Sequence, residues 1–163
     1  MAHSKSTKSK RTASNGRKGA RRGSKRPITV GDLMSFHGVS DPNVSPDGEA
    51  ILFTKKHIGE KNKEVANLWI VPTSGGETRQ FSSGRKDGHG RWSSDGTRIA
   101  FISGRDEARP NIFTMPLDGG EAVALTDFPE GKIGSFRWSP DGKWIAFSGR
   151  PGKETWGDRK SVV

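Results

Sequence analysis

Four histidines, His3, His37, His57 and His89, are the side chains here best suited to move a proton near neutral pH or to bind a metal ion. None stands at a ligand spacing from another. The chain has no Cys, so thiol chemistry and Cys-type metal sites are excluded. His3 lies in a basic tail, His57 in a lysine-rich stretch and His89 between two glycines, which reads as solvated or turn histidine. Asp47, Asp95 and Asp141 could be taken for calcium ligands, but such a site needs several carboxylates converging. They stand tens of residues apart and read as turn formers. Glu77 and Glu121, 44 residues apart, begin outer strands in this reading and are too separated for general acid–base work. Arg105 and Arg150 each follow Ser-Gly. They could hold a peptide carboxylate through the guanidinium fork at a central tunnel, but a solvent-facing loop position is favoured. Trp69, Trp92, Trp138, Trp144 and Phe113 follow the spacing of strands, which suits packing better than stacking on nucleic-acid bases. No Gly-x-Ser-x-Gly occurs, so a nucleophile elbow is missing. No catalytic, metal-binding or cofactor-binding residue is assigned, and no cofactor is expected.

The elements around these residues are set by a repeat. Ser-Pro-Asp-Gly at 45–48, Ser-Ser-Asp-Gly at 93–96 and Ser-Pro-Asp-Gly at 139–142 recur at steps of 48 and 46 residues. A period in the forties marks a β-propeller blade. Pro46 and Pro140 preset φ for the second position of a type I turn, Asp tolerates the third, and Gly accepts the positive φ that closes it. Ala50-Ile-Leu-Phe53, Arg98-Ile-Ala-Phe101 and Trp144-Ile-Ala-Phe147 follow the turns. Ile51/Phe53, Ile99/Phe101 and Ile145/Phe147 share one strand face, while Leu52, Ala100 and Ala146 make the other face apolar too. Strands apolar on both faces are covered on both, as in a blade between two neighbours. Asn67-Leu-Trp-Ile-Val-Pro72 matches Asn111-Ile-Phe-Thr-Met-Pro116, and Gly75-Gly-Glu77 matches Gly119-Gly-Glu121, both at a shift of 44. The glycine pairs suit a hairpin between third and fourth strands.

The chain has 163 residues, 29% of them hydrophobic, and no apolar run approaches a membrane span. Its net charge of +10 is unevenly placed. Residues 1–26 hold ten Lys and Arg and no acid, leaving 18 basic against 18 acidic residues in the rest. The repeat region is neutral, so the basic balance is no argument that it binds nucleic acid. The tail has too little apolar surface to offset its ordering entropy and is expected to be disordered. It reads first as a solvated spacer or over-long translation start. A polyanion-binding arm for nucleic acid and an organellar presequence are the alternatives, the latter opposed by the lack of an apolar face. No secretory h-region precedes the repeats, which suggests a cytoplasmic protein.

The expected fold is all-β, a partial propeller of about two and a half four-stranded blades behind the tail. Blade 1 spans about 42–82, blade 2 about 88–126 and a partial blade 3 about 133–150, inside a domain of 27–163. Within it we expect a short helix capped by Thr29 through Asp32–Phe36, a strand at 42–45, strands at 49–56, 67–72 and 77–82, and a polar loop at 57–66. The Asn-apolar-aromatic strand due in blade 3 does not appear before Val163. Because propellers close with about four to eight blades, a fragment or a chain completed by partners is expected, with self-association through open blade edges.

Ile28-Thr-Val-Gly-Asp-Leu-Met-Ser-Phe36, followed by Val39-Ser-Asp-Pro-Asn-Val-Ser-Pro-Asp-Gly48, resembles the start of the propeller in prolyl-oligopeptidase-family serine peptidases, nearest the acylaminoacyl-peptidase and dipeptidyl-peptidase branch. The Gly-Gly-Glu and Trp-Ser-Pro-Asp-Gly repeats are similar both to those enzymes and to TolB-type propellers. The resemblance covers residues 27 to about 152. It implies a propeller that gates peptide access to an α/β-hydrolase domain bearing Ser, Asp and His, none of which maps onto a position here. The function expected is a non-catalytic, substrate-gating propeller segment of such a peptidase, lacking the hydrolase domain. The alternative is a TolB-like protein-interaction propeller without enzymatic activity.

Overall fold

The computed structural model describes residues 26–105, 109–128 and 131–150. The basic stretch expected to be disordered, apart from Arg26, and His3 within it lie outside the described residues.

Each Ser-x-Asp-Gly segment closes by the same local bonds. The N–H groups of Gly48, Gly96 and Gly142 donate to the carbonyls of Ser45, Ser93 and Ser139 at 2.9, 3.0 and 3.0 Å. These glycines have φ of 77°, 71° and 69°, where a Cβ would be strained. The serine hydroxyl donates to Oδ1 of the Asp two residues on. That Oδ1 also accepts the N–H of Glu49, Thr97 or Lys143, and the serine oxygen accepts that of Ala50, Arg98 or Trp144. The turn therefore saturates its own polar groups, an Asx-type arrangement that needs no outside partner.

Each turn joins two antiparallel strands. The first sheet runs in the order β1 (His37–Val44), β2 (Ala50–Ile58), β3 (Glu64–Pro72) and β4 (Arg79–Gln80). The second is β5 (Asp87–Trp92), β6 (Arg98–Ser103), β7 (Asn111–Pro116) and β8 (Val123–Ala124). The third pairs β9 (Lys132–Trp138) with β10 (Ile145–Arg150). The three sheets stand as successive blades, all-β as the repeat predicts.

Strand limits differ from those expected. β1 begins at His37 rather than 42, and β2 and β3 run on into the stretch read as a polar loop, leaving Gly59–Lys63 between them. Polar side chains do not end a ladder when they project into solvent, and Lys56 and Glu64 make an ion pair at 3.1 Å there. β4 is only two residues long. The helix after Thr29 is a 3-10 helix over Val30–Ser35 that buries no side chain.

Packing follows the two-faced strands. Ile99 and Phe101 of β6, with Trp92 and Met115, meet Leu52, Leu68, Ile70 and Phe81 of blade 1. From the opposite face Ala100, Ile102 and Ile112 meet Ile133 and Phe136 of blade 3. Blade 2 is thus covered on both sides. β5 comes close to blade 1 at Gly90, where a Cβ would lie 2.6 Å from Cδ2 of Leu52.

Candidate functional site

The Ser-x-Asp-Gly turns lie at one end of the blades, and the starts of β1, β5 and β9 lie at the other, because these strands run antiparallel to β2, β6 and β10. At the second end, residues from distant parts of the chain converge. Asp87, whose side chain is 0% exposed, accepts hydrogen bonds from the Ser103 hydroxyl at 2.6 Å and the Gly84 N–H at 2.8 Å. The Arg105 guanidinium stands 3.4 Å from the same carboxylate, donates through Nε to Ser103 Oγ at 3.0 Å, and lies over the Phe113 and Phe101 rings at 4.7 and 5.5 Å. Arg105 is therefore folded back onto aromatic faces and a buried anion. It borders a cleft of about 610 Å³ between blades 1 and 2, with Phe81, Ser82, Ser83 and Glu121. Its cation is half spent on Asp87, so this cleft suits a polar peptide segment better than an isolated carboxylate.

Arg150 is not its counterpart. One residue fewer separates Arg150 from Phe147 than Arg105 from Phe101, so Arg150 falls inside β10, opposite Lys132 and exposed. The equivalent of Asp87 in blade 3 is the apolar Ile133, and in blade 1 it is Val39. Among the described residues the Asp87–Arg105 pair occurs in blade 2 alone.

The inner strands are tied together by two repeated links. The Trp92 indole N–H donates to the Asn43 carbonyl at 3.1 Å, and the Trp138 indole N–H to the Arg91 carbonyl at 3.3 Å. Asn43 and Arg91 occupy the same repeat position, so each indole hooks the blade before it. Arg91 also pairs with Asp41 at 2.8 Å across blades 1 and 2. Asp41 and His89 hold matching positions, φ 55° and 54°, at register shifts of β1 and β5. Such bulges re-aim side chains, and His89 is exposed there.

The other residues singled out in the sequence separate. His37 and His57 are paired across β1 and β2, ring centroids 5.4 Å apart, which the sequence spacing did not reveal. Glu77 and Glu121 precede β4 and β8 on different blades, both exposed. Asp47, Asp95 and Asp141 are each engaged in their own turn. Hydrogen bonds from Ser93 and then Thr97 lower the Asp95 carboxyl to about 2, and Ser45 and Ser139 lower those of Asp47 and Asp141. Among the described residues no three His, Asp or Glu side chains come together as a metal site would require. Trp92 is in the core and Trp138 half-buried. Trp69 lies under the Lys55 ammonium at 4.4 Å. Trp144 does not pack as expected: it is 74% exposed at the edge of β10.

Sequence reasoning missed a further repeated device. Asn67 accepts the Arg85 N–H through Oδ1 at 2.9 Å, and Asn111 that of Phe128 at 2.8 Å. Ser82 Oγ accepts the Leu68 N–H, and Thr126 Oγ1 that of Ile112, both at 3.0 Å. These side chains fasten the third strands of blades 1 and 2 to the connection that leads to the next blade. The signal was available, because Asn67/Asn111 and Ser82/Thr126 share the 44-residue shift.

No protein-family model matches this chain. An uncharacterized peptidase of Bacillus subtilis, YuxL, is 37% identical over 123 residues, 74% of this chain and 19% of its own length. This chain thus spans about a fifth of that relative. Among solved structures, the uncomplexed acylaminoacyl peptidase of Pyrococcus horikoshii superposes with a TM-score of 0.60 at 20% identity, covering 80% of this chain and 20% of that one. The β-propeller domain of the trilobed protease of Pyrococcus furiosus gives 0.56 at 20% identity, over 69% and 34% of the two chains. TolB of Acinetobacter baumannii gives 0.58 at 26% identity, over 69% and 27%. With its repeated turns and two-faced blades the chain is a β-propeller segment, similar in fold to the propellers of acylaminoacyl peptidase, the trilobed protease and TolB.

Proposed function

We propose that this chain is the substrate-gating propeller segment of a serine peptidase of the acylaminoacyl-peptidase kind, and that it performs no catalysis itself. The observation that carries the reading is the 37% identity to a peptidase across 74% of the chain. The blade 1–blade 2 cleft fits it, since Arg105, Glu121, Ser82 and Ser83 offer both hydrogen-bond donors and acceptors to an extended peptide backbone. The partners in this reading are peptide substrates and a hydrolase domain supplied elsewhere, and the chain divides into a basic tail at 1–26 and a propeller from 27. The tail is a candidate contact for polyanions. No helix among the described residues is long and apolar enough to cross a membrane, and we place the protein in the cytoplasm.

A second reading is favoured by the 26% identity and TM-score of 0.58 to TolB: a propeller that docks folded proteins. Two assays of the purified chain separate these. Neither reading expects turnover of acyl-peptide or dipeptidyl substrates, and turnover by chain freed of host peptidases would overturn both. Saturable binding of short unstructured peptides, weakened by Arg105→Ala, is expected of the gating segment. Binding of folded proteins only would select the second reading.

A further inference from the structure

We infer that His37 and His57 form a two-histidine chelate for Zn2+ that clips the first strand of blade 1 to the second. The two residues stand opposite each other in the β1–β2 ladder, so both side chains leave the same face of the sheet. Their ring centroids are 5.4 Å apart, with the planes inclined at 57°. A Zn–N bond of about 2.0–2.1 Å puts a ring centroid about 3.2 Å from the metal, and a tetrahedral angle then sets two such centroids about 5.2 Å apart. The right angle of a square-planar site, which suits Cu2+ and Ni2+, would need about 4.5 Å. The observed separation fits the tetrahedral ion with both strands where they are.

The surroundings leave the ring nitrogens available. Neither imidazole is hydrogen-bonded to a described residue, and His37 is exposed while His57 is half-buried. On β3 the residue opposite His57 is Val65, buried and apolar. Next along the same face of β2 is Lys55, whose ammonium stands over the Trp69 ring at 4.4 Å. Trp69 pairs with Phe53, four residues back from His57, so this charge is drawn away from the imidazoles. Lys56 points to the other face and pairs with Glu64. Three or four protein ligands close a zinc site, and no such group forms among the described residues. Two imidazoles make an open chelate, with water on the remaining positions. The ion would tie a loosely held strand to a well-held one. β2 pairs with β3 without interruption from Ala50 to Ile58, whereas β1 meets β2 through a bulge between Ser40 and Asn43 and follows a 3-10 helix that buries no side chain. The inference holds whether the propeller serves a peptidase or a TolB-like protein.

The test uses the full chain, purified without a histidine tag, and ZnCl2 alone. Calorimetric titration is expected to show one saturable site per chain. His37→Asn and His57→Asn are each expected to weaken binding at least tenfold and His89→Asn to leave it unchanged, with the fold of all three checked by circular dichroism. Zn2+ should raise the thermal midpoint of the wild type, as mass action requires of an ion held by the folded state, and EDTA should reverse the rise. The midpoints of the His37 and His57 variants should not move. The chain's four histidines also give a readout free of mutation: two ring-proton NMR signals should shift with Zn2+ and two should stay. No binding at millimolar Zn2+, or a wild-type midpoint that Zn2+ does not raise, would overturn the inference. So would binding kept by both variants, an equal loss in His89→Asn, or shifts at all four histidines.

Discussion

Blades 2 and 3 contain nearly the same strand, Arg-Ile-Ala-Phe at 98–101 and Trp-Ile-Ala-Phe at 144–147. Phe101 is 0% exposed and Phe147 is 42% exposed. The local sequence builds the same turn and ladder in both, so burial is not a property of the motif. It comes from β7 and β8 beside β6 and from blade 1 against its face. The repeat specifies a half-finished surface, and only a neighbour makes it a core.

The sharpest way to break this comparison is to truncate both phenylalanines. Phe101→Ala should destabilise by about 3–5 kcal/mol, the range for emptying a packed aromatic site. Phe147→Ala should cost under about 1 kcal/mol, since the ring is nearly half in water already. Urea unfolding of the two variants reads the difference. Equal losses would mean that blade 3 is covered in solution.

Asp87 tests the feature that blade 2 alone possesses. Asp87→Ala strands the Gly84 N–H, the Ser103 hydroxyl and part of Arg105. A loss of about 2–3 kcal/mol follows from leaving such buried groups unpaired, moderated because Arg105 can turn to solvent. Arg105→Ala should then cost less than Asp87→Ala, which a double-mutant cycle would check.

What was legible in the sequence divides along the same line. The Ser-x-Asp-Gly turns, the antiparallel pairs and the two-faced strands could be read because each depends on residues within one repeat. The Asn67 and Asn111 fastenings were equally local, but their partners lie past the fourth strand and only the shared shift points to them. Asp87 with Arg105 could not be read, because no other repeat has an acid there. The His37–His57 pair and the Asp41–Arg91 bridge depend on strand pairing and inter-blade contact, and the bulges that change register leave no mark in apolar alternation. Arg150 repeats the Ser-Gly-Arg triplet of Arg105, but with one residue fewer after Phe147 it stays in the ladder rather than reaching a cleft.

The indole hooks offer a smaller contrast. Trp92→Phe removes one hydrogen bond from a core position and should cost about 1 kcal/mol. Trp138→Phe removes the matching bond from a half-buried position with a poorer length and should cost less. The order of the two unfolding midpoints decides it, and a reversed order would mean that blade 3 is held to blade 2 more firmly than blade 2 to blade 1.

The smallest effect belongs to what all three blades share. Asp95 is held near 2 by the Ser93 hydroxyl and the Thr97 N–H, below the unfolded value of about 4. A carboxyl with a lowered folded pKa stabilises fully above its unfolded pKa, and that stability is lost as pH falls through the folded one. The Asp95 contribution is therefore whole at pH 5 and fades between about pH 4 and about pH 2. Asp47 and Asp141 act in the same direction. Asp95→Asn keeps an oxygen to accept the Ser93 and Thr97 hydrogen bonds but cannot titrate. Its urea midpoint should fall less steeply than that of the wild type from pH 5 to pH 2. Asp141→Asn should do the same for local fluorescence of Trp144, because the turn closes within residues 139–144 and does not need a finished blade. Matching acid profiles for wild type and both variants would show that these turns are held by backbone geometry alone, with the serine–carboxylate bond adding nothing.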